Sequence, residues 1–246
     1  MGNRGAPAQI FLFLLLFEIL LVAAHWGDRA LGWYLGDPVW IIRRLVDLNG
    51  EMNIPTWFSS LQLAAIGGVF GYIWYRQRLV RGGEGPVTTM FLYAGLGFLF
   101  FSLDESTGLH ESVSVAFEKV TWLPRFSGDH GLWVPIYGAL GITALFIARK
   151  QVRTIRALFP RLFALFAAGV AIVLAGAVGV EIITYEFITA PGSMTYALAV
   201  SVEEFCEMLG ASVILYSALR LQGELEGVPL PSIAETRLGV GQPSVS

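Results

Sequence analysis

The chain has 246 residues, of which 55% are hydrophobic and 14% are charged, and its net charge is −3. A soluble domain carries about 25% charged residues, so this composition, with a mean hydropathy of +0.63, indicates a membrane protein. The negative charge excludes the basic surface that nucleic-acid binding requires. The single cysteine, Cys206, excludes an internal disulfide and a Cys-rich metal cluster.

Six apolar stretches are candidate transmembrane helices, because a helix needs about 20 mainly apolar residues to cross a bilayer. They are residues 9–26, 55–75, 87–112, 131–148, 162–186 and 195–219. A signal peptide is the rival interpretation of the first stretch, but Glu18 in its middle favours a retained helix. The sequence therefore predicts an all-α integral membrane helical bundle, with one membrane domain over residues 1–222.

The segments outside these spans carry local signals of their own. Residues 27–54 form a long connection in which we expect an interfacial helix near Val39–Leu48. At its end, Asn53 followed by Pro55 is typical of a helix N-cap with proline in the first turn. Residues 223–246 contain several Gly, Pro and Ser, which predicts a disordered cytoplasmic tail.

Basic residues fall on one side of this six-span topology. The connection between spans two and three and that between spans four and five are rich in arginine, and Arg4 and Arg220 lie on the same side. The positive-inside rule makes this side cytoplasmic. We therefore predict that both termini are cytoplasmic, that residues 27–54, 113–130 and 187–194 face outward, and that the protein lies in the cell membrane among membrane lipids.

Two acids and a His-Glu pair stand together at the outer end of the third span, in the stretch FSLDESTGLHES. Asp104 and Glu111 are seven residues apart and share a face of a regular helix, whereas Glu105 and His110 point elsewhere. All four side chains converge only if the helix bends, and Gly108 is the expected place for the bend.

The sixth span contains three acids in the sequence SVEEFCEMLG. Glu203, Glu204 and Glu207 share one helical face. Carboxylates inside a membrane are costly unless they are paired, protonated or bound to a cation. Because spans five and six contain no basic residue between Arg161 and Arg220, bases of the outer loops, protons or a metal ion must neutralise these acids.

The sequence supports a hypothetical metal site, since carboxylate and imidazole ligands together suit a divalent Fe, Mn or Zn ion. The predicted ligands are Asp104, His110, Glu111, Glu204 and Glu207, with Glu105 and Glu203 as general acids or bases and with Glu18, His25 and Glu181 close by. The chain has neither the Glu-x-x-His of di-iron bundles nor the His-Glu-x-x-His of zinc proteases. Alternatively, Glu18 is a lone protonated acid bonded to a neighbouring helix.

Three functions remain open at this stage. One is a metal-dependent enzyme that acts on a lipid or another amphiphile. The second is a proton- or cation-coupled transporter, whose acids bind and release their ligand as the bundle rearranges. The third is a non-catalytic assembly or scaffold protein, whose acids pair with basic residues of a partner's helices.

Three motifs carry a resemblance that covers most of the chain. NIPTWFSS, SLDESTGLHE and EEFCEMLG, within residues 47–219, resemble a set found in an uncharacterised family of bacterial multi-pass membrane proteins. That family has no known activity. The resemblance therefore implies a location in a bacterial cytoplasmic membrane and carries no chemistry with it.

Overall fold

The computed structural model describes residues 5–36, 40–81, 85–117, 120, 131–188, 190, 193–226 and 230, and describes only the backbone of Arg81, Glu111 and Ser114. Within these ranges all regular secondary structure is helical. The helices are α1 (Ala6–Leu35), α2 (Trp40–Val46), α3 (Ile54–Arg81), α4 (Pro86–Thr107), α5 (Leu109–Ala116), α6 (Trp133–Leu158), α7 (Pro160–Leu174), α8 (Glu181–Phe187) and α9 (Met194–Glu224). A π-helical segment, Ala175–Val180, joins α7 to α8.

Helix starts follow the local sequence signals. The side-chain oxygen of Asn53 accepts a hydrogen bond from the backbone N–H of Thr56 at 3.0 Å, which confirms the predicted N-cap of α3. Helices α4 and α7 begin at Pro86 and Pro160, where proline loses no helical hydrogen bond. Helix α2 lies within the segment that was expected to form an interfacial helix.

Three of the helical segments are long and apolar enough to cross a membrane. They are Ala6–Leu35, Pro86–Thr107 and Pro160–Phe187. They cover the first and fifth predicted spans and the third, predicted over 87–112, only as far as Thr107. The second, fourth and sixth predicted spans lie largely within α3, α6 and α9. By length and composition, these three helices are not marked as able to cross a membrane. The described part of the chain thus contains three candidate transmembrane helices.

Helix α9 lies at the centre of the bundle. It packs against α1, α3, α7, the π-helical segment and α8, while α4 lies along α3, and α6 contacts α4, α5 and α7. The largest apolar core is built from α3, α4 and α9 and contains Ile66, Phe70, Phe91, Ile214 and Leu215. Because α9 contacts so many elements, its side chains take part in most of the helix contacts inside the bundle.

Paired glycines allow two of these helix crossings to be very close. A Cβ atom added to Gly169 of α7 would lie 2.9 Å from the carbonyl oxygen of Gly210 in α9, and one added to Gly210 would lie 2.7 Å from that of Gly169. Gly67 of α3 and Gly95 of α4 meet in the same reciprocal way. Small residues at such positions let helix backbones approach each other, as is typical of membrane bundles.

The surface of the bundle is strongly apolar along α1 and α6. Phe13 and Leu16 of α1 are each 67% exposed, and Phe146 and Ile147 of α6 are 65% and 70% exposed. Contiguous exposed apolar side chains of this size are unfavourable in water. These faces therefore fit contact with lipid.

The described residues after α9 fold back onto the bundle. Leu225 and Leu230 are buried, and the backbone N–H of Leu230 donates to Gln77 Oε1 at 2.8 Å. Residues 231–246, which make up most of the predicted tail, lie outside the described part of the chain. The predicted disorder of that tail therefore stays a prediction.

Candidate functional site

A break at Gly108 shapes the outer end of the third predicted span. Gly108 has φ 59° and ψ 36°, a left-handed conformation, and its N–H donates to the carbonyl oxygen of Asp104. Helix α4 therefore ends at Thr107, and α5 begins in a new direction at Leu109. Glycine adopts this conformation without a steric penalty. The expected bend near Gly108 is thus confirmed.

The break brings His110 against the carboxylate of Asp104. The backbone N–H of His110 donates to Asp104 Oδ1 at 2.8 Å, and His110 Nδ1 lies 3.3 Å from Asp104 Oδ2. Asp104 is buried, with 6% of its surface exposed. A carboxylate on Nδ1 fixes the orientation of an imidazole and favours the tautomer with its lone pair on Nε2.

Two aromatic residues of α6 extend this contact towards α8. The hydroxyl of Tyr137 donates to Asp104 Oδ1 at 3.1 Å, and the Trp133 indole N–H donates to Glu181 Oε1 at 3.1 Å. The ring of Trp133 also packs edge-on against His110, with centroids 5.5 Å apart. Neither Trp133 nor Tyr137 was among the site residues predicted from the sequence. Their spacing of four residues at the start of α6, which puts both rings on one face, is the signal that was available.

The acids of α9 meet acids from two other helices. Glu207 interacts electrostatically with Glu105 of α4, with Glu181 of α8, and with Glu203 and Glu204 of its own helix. Glu203 interacts with Glu181 and with His110. We call these five glutamates the acid cluster. The structure thus brings together Glu105, Glu203, Glu204 and Glu207, which the sequence had selected on two separate spans.

The π-helical segment presses directly on the acid cluster. A Cβ atom added to Gly176 would lie 2.8 Å from the carbonyl oxygen of Glu203, 2.9 Å from Cys206 Cβ and 3.4 Å from Glu207 Cγ. Short π-helical turns within α-helices occur frequently at functional sites. Here the turn lies between α7 and Glu181, so it sets the position of that carboxylate relative to α9.

The predicted metal-ligand set is only partly visible. Among the side chains that the structure describes, no group of three or more His, Cys, Asp or Glu residues is arranged to hold a metal ion. The side chain of Glu111 lies outside this part of the structure. The carboxylate of Asp104 contacts His110 and accepts a hydrogen bond from Tyr137. In this arrangement Asp104 orients the ring of His110.

Glu18 and His25, expected close to the same site, have contacts of their own. The side chain of Glu18 is bonded to Gln62 and Ser212 in the bundle interior. Arg29 Nε donates to His25 Nε2 at 3.0 Å, and the backbone N–H of Leu48 donates to Nδ1 at 3.1 Å. His25 Nδ1 also lies 3.3 Å from Asp47 Oδ1. The side chain of His25 is the main cause that lowers the pKa of Asp47 below its ordinary value.

Comparison with known proteins gives a family and no activity. The family model described as "Domain of unknown function (DUF8692)" matches residues 13–222. No curated protein and no solved structure matches the chain. The matched range contains the acid cluster, the Asp104–His110 pair and the π-helical segment, and it covers most of the 246 residues. The chain therefore belongs to the DUF8692 family, whose function is unknown.

Proposed function

We propose that this protein is a multi-pass membrane protein whose acid cluster binds and releases protons or a cation, as the site of a coupled transporter does. The observation that carries the proposal concerns Glu207. Every charged side chain with which Glu207 interacts in the described part of the chain is another carboxylate: Glu105, Glu181, Glu203 and Glu204.

Neighbouring carboxylates cannot all be ionised in a medium of low dielectric constant. Each negative charge raises the free energy of the next, so the group shares protons or takes up a cation. The imidazole of His110, which interacts with Glu203, offsets at most one of these charges when it is protonated. A site of this kind changes its proton or cation occupancy readily when its surroundings change, and transport requires this property.

The proposed topology has six spans, with both termini in the cytoplasm and the acid cluster near the outer surface. The exposed apolar face of α6, which includes Phe146 and Ile147, supports a lipid-facing position for that helix. Reporter fusions after Arg81, after Leu158 and at the C-terminus test this topology. All three are expected to report the cytoplasm, and a periplasmic signal from any of them contradicts the six-span arrangement.

The transport function is tested with purified protein in liposomes that contain a pH-sensitive dye. Wild-type protein is expected to carry protons, alone or in exchange for Na⁺ or K⁺, when a gradient is imposed. Glu207→Gln removes the central carboxylate with little change in shape and is expected to abolish this flux. Glu224→Gln, at the exposed end of the same helix, is the matched control and is expected to leave the flux unchanged. Equal flux in empty and protein-containing liposomes contradicts the proposal.

A metal-dependent enzyme acting on a lipid or another amphiphile is the second candidate. The contact between Asp104 Oδ2 and His110 Nδ1 favours it, because metal-binding imidazoles are commonly oriented by a carboxylate on their other nitrogen. The remaining ligands would come from Glu204, Glu207 and Glu111, and the metal would activate water or a redox step. Elemental analysis of wild-type protein and of a Glu204→Ala/Glu207→Ala variant tests this. A stoichiometric Fe, Mn or Zn ion that the variant loses supports the enzyme, and no metal in either sample contradicts it.

A further inference from the structure

A second carboxyl group, Glu18, lies in the bundle interior and has no exposed surface. Its Oε1 atom accepts hydrogen bonds from Gln62 Nε2 at 2.9 Å and from Ser212 Oγ at 2.6 Å. Gln62 Nε2 also lies 2.8 Å from Ser212 Oγ. The three side chains come from α1, α3 and α9, so they form a closed polar contact where three helices meet.

The two oxygens of Glu18 have different surroundings. Oε2 is buried and has no hydrogen-bond partner in the described part of the chain, whereas Oε1 has two donors. An ionised carboxylate divides its charge between both oxygens, so half of that charge would be buried on Oε2 without a donor. A neutral acid matches the observed contacts better, because a carbonyl Oε1 has two lone pairs for its two donors.

The residues around Glu18 offer no positive charge to stabilise its ionised form. Helix α3 has no acidic, basic or histidine side chain between Ile54 and Tyr75, and Glu18 is the only charged residue of α1 before His25. Within two turns of Ser212 the only charged residue of α9 is Glu207, and the first basic residue of the helix, Arg220, lies eight residues further on, about 12 Å along the axis. An acid placed among these groups is therefore held in its protonated form.

The same contact contains a further buried atom without a partner. Gln62 Oε1 has no hydrogen-bond partner among the described residues and is buried together with Glu18 Oε2. It is an acceptor, so it supplies no donor for an ionised Glu18. Gln62 Nε2 also lies 3.3 Å from the carbonyl oxygen of Met208, next to Glu207 in the sequence, so the contact adjoins the turn of α9 that bears the acid cluster.

We propose that Glu18 is a proton-binding site, distinct from the acid cluster, whose neutral form locks α1 against α3 and α9. Loss of this proton leaves negative charge on the buried Oε2 atom, which has no donor among the described residues. Separation of α1 from the other two helices, which admits water, relieves this penalty. Protonation of one side chain thereby controls the packing of three helices.

Infrared spectroscopy of the reconstituted protein tests the protonation directly. Because protonated acids of the acid cluster absorb in the same region, the test uses the difference spectrum between wild type and Glu18→Gln at neutral pH. This spectrum is expected to contain the C=O stretching band of one buried carboxylic acid. The same difference band is expected when both proteins carry Glu207→Gln, so failure of the transport proposal would not remove it. A difference spectrum without a carboxylic acid band overturns the inference.

A serine variant keeps the test decisive if Glu18→Gln does not fold. Ser212→Ala removes one of the two donors to the Glu18 carbonyl and is expected to shift the same band to higher frequency. Ser217→Ala removes a buried serine of the same helix that donates to Leu162 instead, and it is expected to leave the band in place. Identical band positions in Ser212→Ala and Ser217→Ala overturn the inference.

The locking role is tested by thermal unfolding in detergent as the pH is raised. Wild-type protein is expected to lose thermal stability in alkali as Glu18 gives up its proton. Glu18→Gln, which resembles the neutral acid and cannot ionise, is expected to lose distinctly less. Parallel losses in the two proteins show that Glu18 does not control the packing and overturn this part of the proposal.

Discussion

His110 is held by Asp104 through both its backbone and its ring, although the two residues are separated by the end of one helix and the start of another. The backbone contact measures 2.8 Å and the contact between His110 Nδ1 and Asp104 Oδ2 measures 3.3 Å. The left-handed turn at Gly108 makes both contacts feasible. The orientation of the only described imidazole beside the acid cluster is therefore set by a single buried carboxylate.

Asp104→Asn tests this arrangement. The amide oxygen still accepts from the backbone of His110, but the negative charge that faces Nδ1 is lost, so the ring is expected to change its tautomer and its mobility. Because the 3.3 Å contact with Asp104 Oδ2 then no longer orients the ring, a reduced proton flux is also expected. Nitrogen NMR of the labelled histidine measures the tautomer directly. Tyr137→Phe, which removes one donor to the same carboxylate, is expected to have a smaller effect, and an unchanged His110 spectrum in Asp104→Asn would refute the assignment.

Gly210→Ala tests the close crossing of α7 and α9. The added Cβ would lie 2.5 Å from Val173 Cγ2 and 2.8 Å from the backbone nitrogen of Val173, so the helices must separate. Overpacking of this kind costs about 1–3 kcal/mol, and a clear drop in unfolding temperature is expected. Gly223→Ala lies on the same helix with open space around the new atom and is expected to be neutral or slightly stabilising, by about 0.5–1 kcal/mol. Equal unfolding temperatures for the two variants would contradict the crossing.

Gly176→Ala tests the contact between the π-helical segment and the acid cluster. The new methyl group would press on the backbone of Glu203 and on Cys206, which moves the α9 acids relative to Glu181. Reduced flux is expected, together with a loss of stability of about 1–3 kcal/mol. Gly179→Ala is the matched control within the same segment, because its nearest atom would be 4.0 Å away. If both variants behave like the wild type, the segment does not position the acids.

Asp47→Asn tests the contact between the outer end of α1 and the loop before α3. The hydrogen bond from His25 lowers the pKa of Asp47 below its ordinary value of 3.8. Because the folded pKa is lower than the unfolded one, the stabilisation is complete above about pH 5 and is lost as the pH falls through the folded pKa.

The unfolding temperature of wild-type protein and of Asp47→Asn, followed against pH, measures this effect. A difference of about 0.5–1 kcal/mol is expected near neutral pH for a partly exposed contact, and it should shrink towards acid. A difference that stays constant down to acidic pH would mean that the Asp47 charge has no part in it.

Local signals in the sequence located the helices well, because long apolar runs, proline at a helix start and the Asn53 cap act within a few residues. Gly108 was found for the same reason, since a glycine between polar residues breaks an otherwise continuous helix. Long-range contacts could not be found in this way. Glu18 bonds to Gln62 and Ser212 over 44 and 194 residues, and a glutamine or serine on an apolar helix gives no sign of its partner.

The sequence indicated which acids share a face of the sixth span, but not which acids of other helices interact with them. Glu203, Glu204 and Glu207 were selected because adjacent acids inside a span are rare, and Glu207 interacts electrostatically with Glu105. The role of Trp133 was missed because aromatic residues at a helix end are expected at a membrane interface in any case. The π-helical turn depends on packing against α9 and has no reliable signature in sequence.

The conformation of the π-helical segment determines the direction in which the side chain of Glu181 points, because the segment directly precedes this residue. A π-turn accommodates about one residue more than an α-helical turn, and each residue of an α-helix rotates the chain by about 100°. If the same residues formed a regular α-helix instead, Glu181 would rotate by about 100° and turn away from Trp133. Deletion of one residue within Ala175–Val180 would remove the extra residue and leave Glu181 facing Trp133 on a continuous α-helix. The π-turn therefore compensates for one additional residue and keeps this carboxylate directed at α6.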